Sequence, residues 1–171
     1  MTNATASIEG GRASVRLERH LVDPPALVWR ALTDRDQLLT WFPCDVEVDG
    51  GRWLVGAGIT FTFASEVIDM TLRGEVTEVE EPSRLAYRWG DEVLRFELSH
   101  DDGGSLLVLV DELSPSRAAR NAAGWEDCLD RLVGLTASTG AWREHFNQYQ
   151  CEFEPILGPQ EGPPAEYKGT L

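Results

Sequence analysis

Three histidines, three cysteines and a group of carboxylates are the side chains of this sequence that could do chemistry. His20, His100 and His145 stand far apart, without the spacing of a metal pair or of a base beside its nucleophile. Each is expected at the surface, exposed or paired with an acid. Cys44, Cys128 and Cys151 form no Cys-x-x-Cys pair and read as buried free thiols in a reducing cytoplasm. Glycine-rich phosphate loops are absent. No cofactor, no metal and no catalytic residue is therefore expected. Asp111, Glu112, Glu126 and Asp127 gather around the start of a late helix. They read as a solvated acidic rim or as partners for Arg117 and Arg120. A single buried carboxylate with a raised pKa would open acid–base chemistry instead.

The aromatic residues point to binding. Trp41, Phe42, Trp53, Phe61, Phe63, Tyr87, Trp89, Phe96 and Trp125 recur on faces expected to turn inward. They either fill the core or line a pocket, joined there by Leu129 and Leu132 of the late helix. An empty apolar pocket of about 300 Å³ would cost about 7 kcal/mol, comparable to a whole domain's stability. Rings must then close that space, or a ligand or solvent must occupy it. Arg19 shares the face of Val15, Leu17 and Leu21, so it needs an ion-pair partner or serves as a polar anchor.

The elements that must hold these residues follow from the patterning. Alternation predicts a first strand over Ser14–Val22, and Asp23-Pro24-Pro25 opens a short helix. A second short helix starts at Thr33-Asp34-Arg35-Asp36 and closes on Trp41-Phe42-Pro43. Asp49-Gly50-Gly51 reads as a hairpin between Cys44–Val48 and Arg52–Val55. Strands around Ile59–Phe63, Met70–Val79, Leu85–Trp89, Leu94–Leu98 and Leu106–Val110 follow, for a count of about seven. After Ser114-Pro115 comes a long helix with Trp125, Leu129 and Leu132 on one face, broken near Ser138-Thr139-Gly140. Trp142, Phe146, Tyr149 and Phe153 then mark an extra C-terminal helix. The domain organisation expected is a flexible arm at 1–12, one α+β domain at 13–153, and a flexible Pro/Gly-rich tail at 154–171.

Charge narrows the partners. With 15 Lys+Arg against 29 Asp+Glu, the net charge of −14 repels nucleic acid and anionic membrane alike. A monomer or homodimer in the cytoplasm is expected, with no signal peptide and no membrane span.

The order of elements is similar to the helix-grip fold: a curved antiparallel sheet wrapped around a long C-terminal helix. The sequence resembles the START-like (SRPBCC) superfamily that also contains the birch-pollen allergen. Within it, the chain looks like a single-domain homologue of the activator of heat-shock-protein-90 ATPase. Pro25–Leu32, Trp41-Phe42, Gly50-Gly51-Arg52-Trp53 and Gly74-Glu75-Val76 carry the resemblance, with Glu81-Pro82, Arg84-Leu85, Trp89 and Gly124-Trp125. It spans roughly residues 13–138. The resemblance implies a chaperone-contacting N-terminal module for such co-chaperones, and none is expected in the eleven or so residues before the first predicted strand. The resemblance implies a binding protein for a small hydrophobic or amphipathic ligand, such as a lipid, held between sheet and long helix. The alternatives are a chaperone-associated interaction module with an apolar patch around Trp142 and Tyr149, and a cyclase- or hydrolase-type enzyme using the same cavity.

Overall fold

The chain folds into β1 (Ala4–Glu9), β2 (Arg12–Leu21), α1 (Pro25–Thr33), α2 (Arg35–Leu38), β3 (Asp45–Val48) and β4 (Gly58–Ala64). These are followed by β5 (Asp69–Glu80), β6 (Arg84–Trp89), β7 (Glu92–Asp101), β8 (Gly104–Leu113), α3 (Ala118–Leu132) and α4 (Ala141–Leu157). The computed structural model describes residues 3–64, 69–134 and 141–162. The expected helix break at Ser138–Gly140 and the last part of the expected tail lie outside them. The strands form one antiparallel sheet in the order β1-β2-β8-β7-β6-β5-β4-β3, and the architecture is the expected α+β helix grip.

Alternation decides which side of the sheet faces α3. Ala13, Val15 and Leu17 of β2 are fully buried, as are Leu107, Leu109, Asp111 and Leu113 of β8. A register shift between Val76 and Glu78 marks a bulge in β5. Such a bulge bends its strand, here where the β3–β5 wing leaves the rest of the sheet. Gly74 lets that wing close tightly: a Cβ there would lie 2.0 Å from the Arg88 carbonyl oxygen and 2.8 Å from the Phe61 ring.

Three expectations need correction. The loose arm is a strand: β1 pairs with β2 from Ala4 opposite Leu17 to Glu9 opposite Arg12. Its small side chains give little hydrophobic signal, and the Gly10-Gly11 turn, with φ of 57° and 79°, folds it back. Arg52–Val55 is not the return strand of a hairpin. Asp49–Gly51 forms a 3-10 turn, and the chain loops to Gly58 before pairing with β3, Val46 opposite Phe61. Backbone bonds between Gly56, Ala57 and Val76 hold that loop against β5. The sheet has eight strands among the described residues, against the expected count of about seven.

The segment expected as a tail from residue 154 begins as helix. α4 continues through Pro155 to Leu157, and the residues after it return to α3. No side chain of its own caps α3. Instead the Ala119 amide donates to Gln160 Oε1 at 2.9 Å, while Gln160 Nε2 donates to the Pro115 and Gly158 carbonyls. Glu161 adds a backbone bond to Ser116 and an ion pair to Arg120. A cap borrowed from forty-one residues away does not show in local sequence. Gln160→Ala is expected to cost about 1 kcal/mol in urea unfolding, the usual worth of an N-cap. A midpoint equal to that of the unsubstituted chain would refute this role.

Candidate functional site

The aromatic residues converge between sheet and helix, and there they touch one another. Phe42, just after α2, packs against Trp41, Phe61, Trp89 and Trp125 at centroid distances of 5.4 to 6.4 Å. Tyr87 meets Trp53, Phe61 and Phe96 at 5.5 to 5.8 Å. Trp89 stacks on Phe63 and tilts onto Trp125 at 5.2 Å. Two indoles are tied to backbone, Trp41 Nε1 donating to the Ala31 carbonyl and Trp53 Nε1 to the Thr33 carbonyl. Most of these rings are buried with Leu129, whereas Trp53, Phe63, Trp89 and Leu132 are half-buried.

Two of the sequence candidates sit apart from the rings' contacts. Arg19 pairs with Asp130 of α3 at 3.2 Å and donates to the Glu18 carbonyl. Leu132 lines a shallow groove of about 290 Å³ with Leu21, Val28 and Trp41. A larger groove of about 760 Å³ opens between α1–α2 and β3, where Arg30, Arg35, Glu47 and Trp53 are among its walls.

Under the rings lies a polar site that sequence reasoning placed at the surface. Asp111 is fully buried, and Glu126 and Asp127 are 3% and 8% exposed. The acidic rim is therefore overturned for these three. Glu112 alone remains partly exposed, paired with Arg95 at 2.9 Å. Asp111 faces inward because it shares the parity of Leu107, Leu109 and Leu113. Glu92, on the next strand, shares the parity of Leu94, Phe96 and Leu98, and is buried too. Asn121, one turn into α3, bridges the two acids through Nδ2, donating at 3.0 Å to Asp111 Oδ2 and to Glu92 Oε2. Trp125 Nε1 donates to Asp111 Oδ2 at 2.9 Å. Arg117 reaches Glu92 at 3.4 Å but is held mainly by a two-pronged pair with Asp91.

These surroundings fix the charges. Burial, then repulsion from Asp111, pushes the Glu92 carboxyl up to about 8. Burial raises Asp111 to about 6, against the pull of the Asn121 and Trp125 donors. Burial and mutual repulsion therefore oppose a second negative charge on the pair, and Glu92 is the more strongly raised of the two. Asp111 Oδ1 and Trp89 Nε1 are buried without a hydrogen-bond partner among the described residues. Glu92 and Asn121 were missed, although strand parity pointed to the first of them.

The opposite face of α3 is a structural joint. Tyr149 donates to Glu126, and its hydroxyl accepts from the Ala4 and Asn3 amides at 3.0 and 3.1 Å. His145 lies between Glu126 and Asp127. Trp142 stacks on Phe146 at 5.3 Å and Tyr149 is fully buried, so the expected exposed patch around Trp142 and Tyr149 is the α3–α4 contact. His20 pairs with Asp101 on the outside. The Cys128 thiol is pushed up to about 12 by burial and Cys44 likewise upward, so neither is a thiolate nucleophile.

A family described as activator of Hsp90 ATPase homolog 1-like protein matches residues 23–137. No curated protein matches the sequence significantly. Among solved structures, a conserved protein of unknown function from Enterococcus faecalis is 24% identical, with a TM-score of 0.72 over 90% of this chain and 91% of its own. CalU16 from Micromonospora echinospora is 20% identical, with a TM-score of 0.71 over 90% and 99% of the two chains. DynU16, from the dynemicin biosynthetic locus, is 27% identical with a TM-score of 0.60. That match covers 71% of this chain and 46% of DynU16.

Proposed function

For a chain that belongs to the family of activator of Hsp90 ATPase homolog 1-like proteins, we propose a binding protein for a small hydrophobic or amphipathic molecule, held between the sheet and α3. The observation that carries this reading is the buried Asp111–Glu92 pair set into an aromatic interior. Two acids side by side add nothing to a core chosen for stability alone, since burial penalises each and they repel one another. A polar group kept there serves a ligand. The ligand displaces rings, and the half-buried Phe63–Trp89 stack is the part of the cluster with the least to lose. Trp41, Phe42, Phe61, Tyr87, Phe96 and Trp125 form the wall behind it. The biosynthetic locus of DynU16 is consistent with a small-molecule ligand.

The experiment is native mass spectrometry after exposure of the protein to an organic extract of its expression host. A reproducible adduct on the order of a few hundred daltons is expected, drug-sized molecules being what such pockets enclose. Trp89→Ala and Trp125→Ala should lose it. An unadducted mass in every extract, or an adduct untouched by both substitutions, sinks the proposal. The raised Glu92 carboxyl favours one second reading, acid catalysis on the bound molecule, which a mass change in the released ligand would reveal.

A further inference from the structure

The two edges of the sheet are finished differently. At β1 the Asn3 and Ala4 amides donate to the Tyr149 hydroxyl, so α4 closes the start of that edge. At β3 no backbone bond from the described residues reaches the side away from β4. An antiparallel strand turns every second N–H and C=O pair outward, so β3 presents unpaired main-chain groups on that side. An edge of this kind is a template for a further strand unless something covers it.

Along that edge runs the groove of about 760 Å³ between α1–α2 and β3. Val46, Glu47 and Val48 all line it. Consecutive residues of a strand point to opposite faces, so a groove that touches all three follows the backbone edge and not one face. Val48 and Trp53 are half-buried and give the groove an apolar side, and Trp53 is held in place by its bond to the Thr33 carbonyl. A Cβ at Gly50 or Gly51 would meet nothing within 4 Å, so the end beyond β3 is open.

Charge decides the occupant. Arg35 is taken by Asp45 through two bonds at 2.9 and 2.6 Å, and Arg30 by Asp34 at 3.5 Å. Glu47 reaches Arg35 only at 3.6 Å, and Asp36 has no ion-pair partner among the described residues. The charge left unmatched along the groove is therefore negative, in a chain whose net charge is −14. A second copy would bring the same negative charge and its own α1–α2 wall against this one. A compact small molecule would leave the row of main-chain groups unmet.

We infer that β3 accepts an extended, basic segment of another protein as a further strand of the sheet. Its main chain pairs with the β3 edge, its aliphatic side chains pack on Val48 and Trp53, and its lysines or arginines lie beside Asp36 and Glu47. This inference does not depend on the small-molecule reading.

The probe is a capped hexapeptide of alternating lysine and valine, titrated into ¹⁵N-labelled protein while the backbone amide signals are followed. Binding with a Kd of roughly 1 mM or below is expected, weak because a free peptide must be ordered. The shifts should fall on Val46–Val48 and not on Ala6–Ile8 of β1. Two analogues carry N-methyl groups on the amides of one edge of the peptide or of the other, which removes donors and keeps the side chains. One of the two should bind at least about tenfold more weakly, the equivalent of one hydrogen bond. Replacing the lysines by glutamates should weaken binding by about tenfold or more. The double variant Asp36→Lys, Glu47→Lys, at two exposed positions, should reverse that preference. No binding up to several millimolar, shifts confined to β1, or two N-methylated analogues as tight as the parent would each overturn the inference. A lysine preference that survives the double variant overturns it too, since the peptide then docks elsewhere.

Discussion

Glu92→Gln is expected to stabilise the protein above pH 8 and to leave its stability unchanged near pH 4.5. The carboxyl stands at about 8 in the fold, against an ordinary value of 4.5, because burial and then the Asp111 charge oppose its ionisation. Below 4.5 the folded and unfolded chains both hold the proton, and the site contributes nothing. Between 4.5 and 8 the unfolded carboxyl has released its proton while the folded one keeps it, so stability falls as pH rises through this window. Above 8 the loss is complete. Asp111 adds a slope of the same sign between 3.8 and about 6.

The groups facing Glu92 set the size of the effect. Asp111 on β8 and Asp91 in its own turn repel its charge, whereas Arg117, in the turn before α3, attracts it. Glutamine keeps the shape and can accept the Asn121 bond, but it gives up the Arg117 attraction. The raised value already nets that attraction against burial and repulsion, so the whole shift is worth on the order of 4–5 kcal/mol, at about 1.36 kcal/mol per unit. For a chain of this length that is roughly a 10–15 °C gain in Tm at pH 9. Calorimetry from pH 4.5 to 9 decides it: melting curves that stay parallel across the range would show that Glu92 is not held protonated.

Why this site escaped the sequence while the fold did not comes down to parity against polarity. The strand order from β2 to β8, the helix pair at Pro25 and Arg35, and the amphipathic α3 all follow from apolar spacing and turn residues, and all are found. Inward rings at Trp41, Phe61, Tyr87, Phe96 and Trp125 were legible for the same reason. Asp111 and Glu92 obey the alternation of their strands as strictly as any leucine, yet for Asp111 the rule that charges face water overrode it. Where parity and polarity disagree, parity describes the backbone, and the disagreement marks a residue held inside for another purpose. β1 gives little hydrophobic signal through its small side chains, although its Gly10-Gly11 turn is local, and the Gln160 cap depends on a partner far along the chain, Ala119. Whether the rings touch or leave room is also beyond a pattern, which fixes a side and not a distance.

Trp125 is where the ring cluster and the acid pair meet, so removing it should produce the largest loss. Trp125→Ala deletes contacts to Phe42 and Trp89 together with a donor to Asp111, and is expected to cost about 3–5 kcal/mol. Trp125→Phe separates the two parts. It keeps a ring but drops the N–H, leaving Asp111 Oδ2 with Asn121 as its one donor among the described residues. A cost of about 1–3 kcal/mol follows. That cost depends on pH in a definite direction. The indole donor pulls the Asp111 pKa down, so its loss raises the folded value further above 3.8. The added penalty is absent below 3.8, where both states are protonated, and grows as pH rises towards and past 6. In an Asp111→Asn background no carboxylate remains to be stabilised, and Trp125→Phe should then cost less by about 1–2 kcal/mol, a coupling normal for residues in direct contact. Urea unfolding of the four proteins of this cycle at pH 4 and pH 7.5 measures both effects. Additive losses with no pH dependence would mean that Trp125 is only a wall of the core. A coupling that appears at pH 7.5 and fades at pH 4 would mean that its N–H is there to hold a buried negative charge in place.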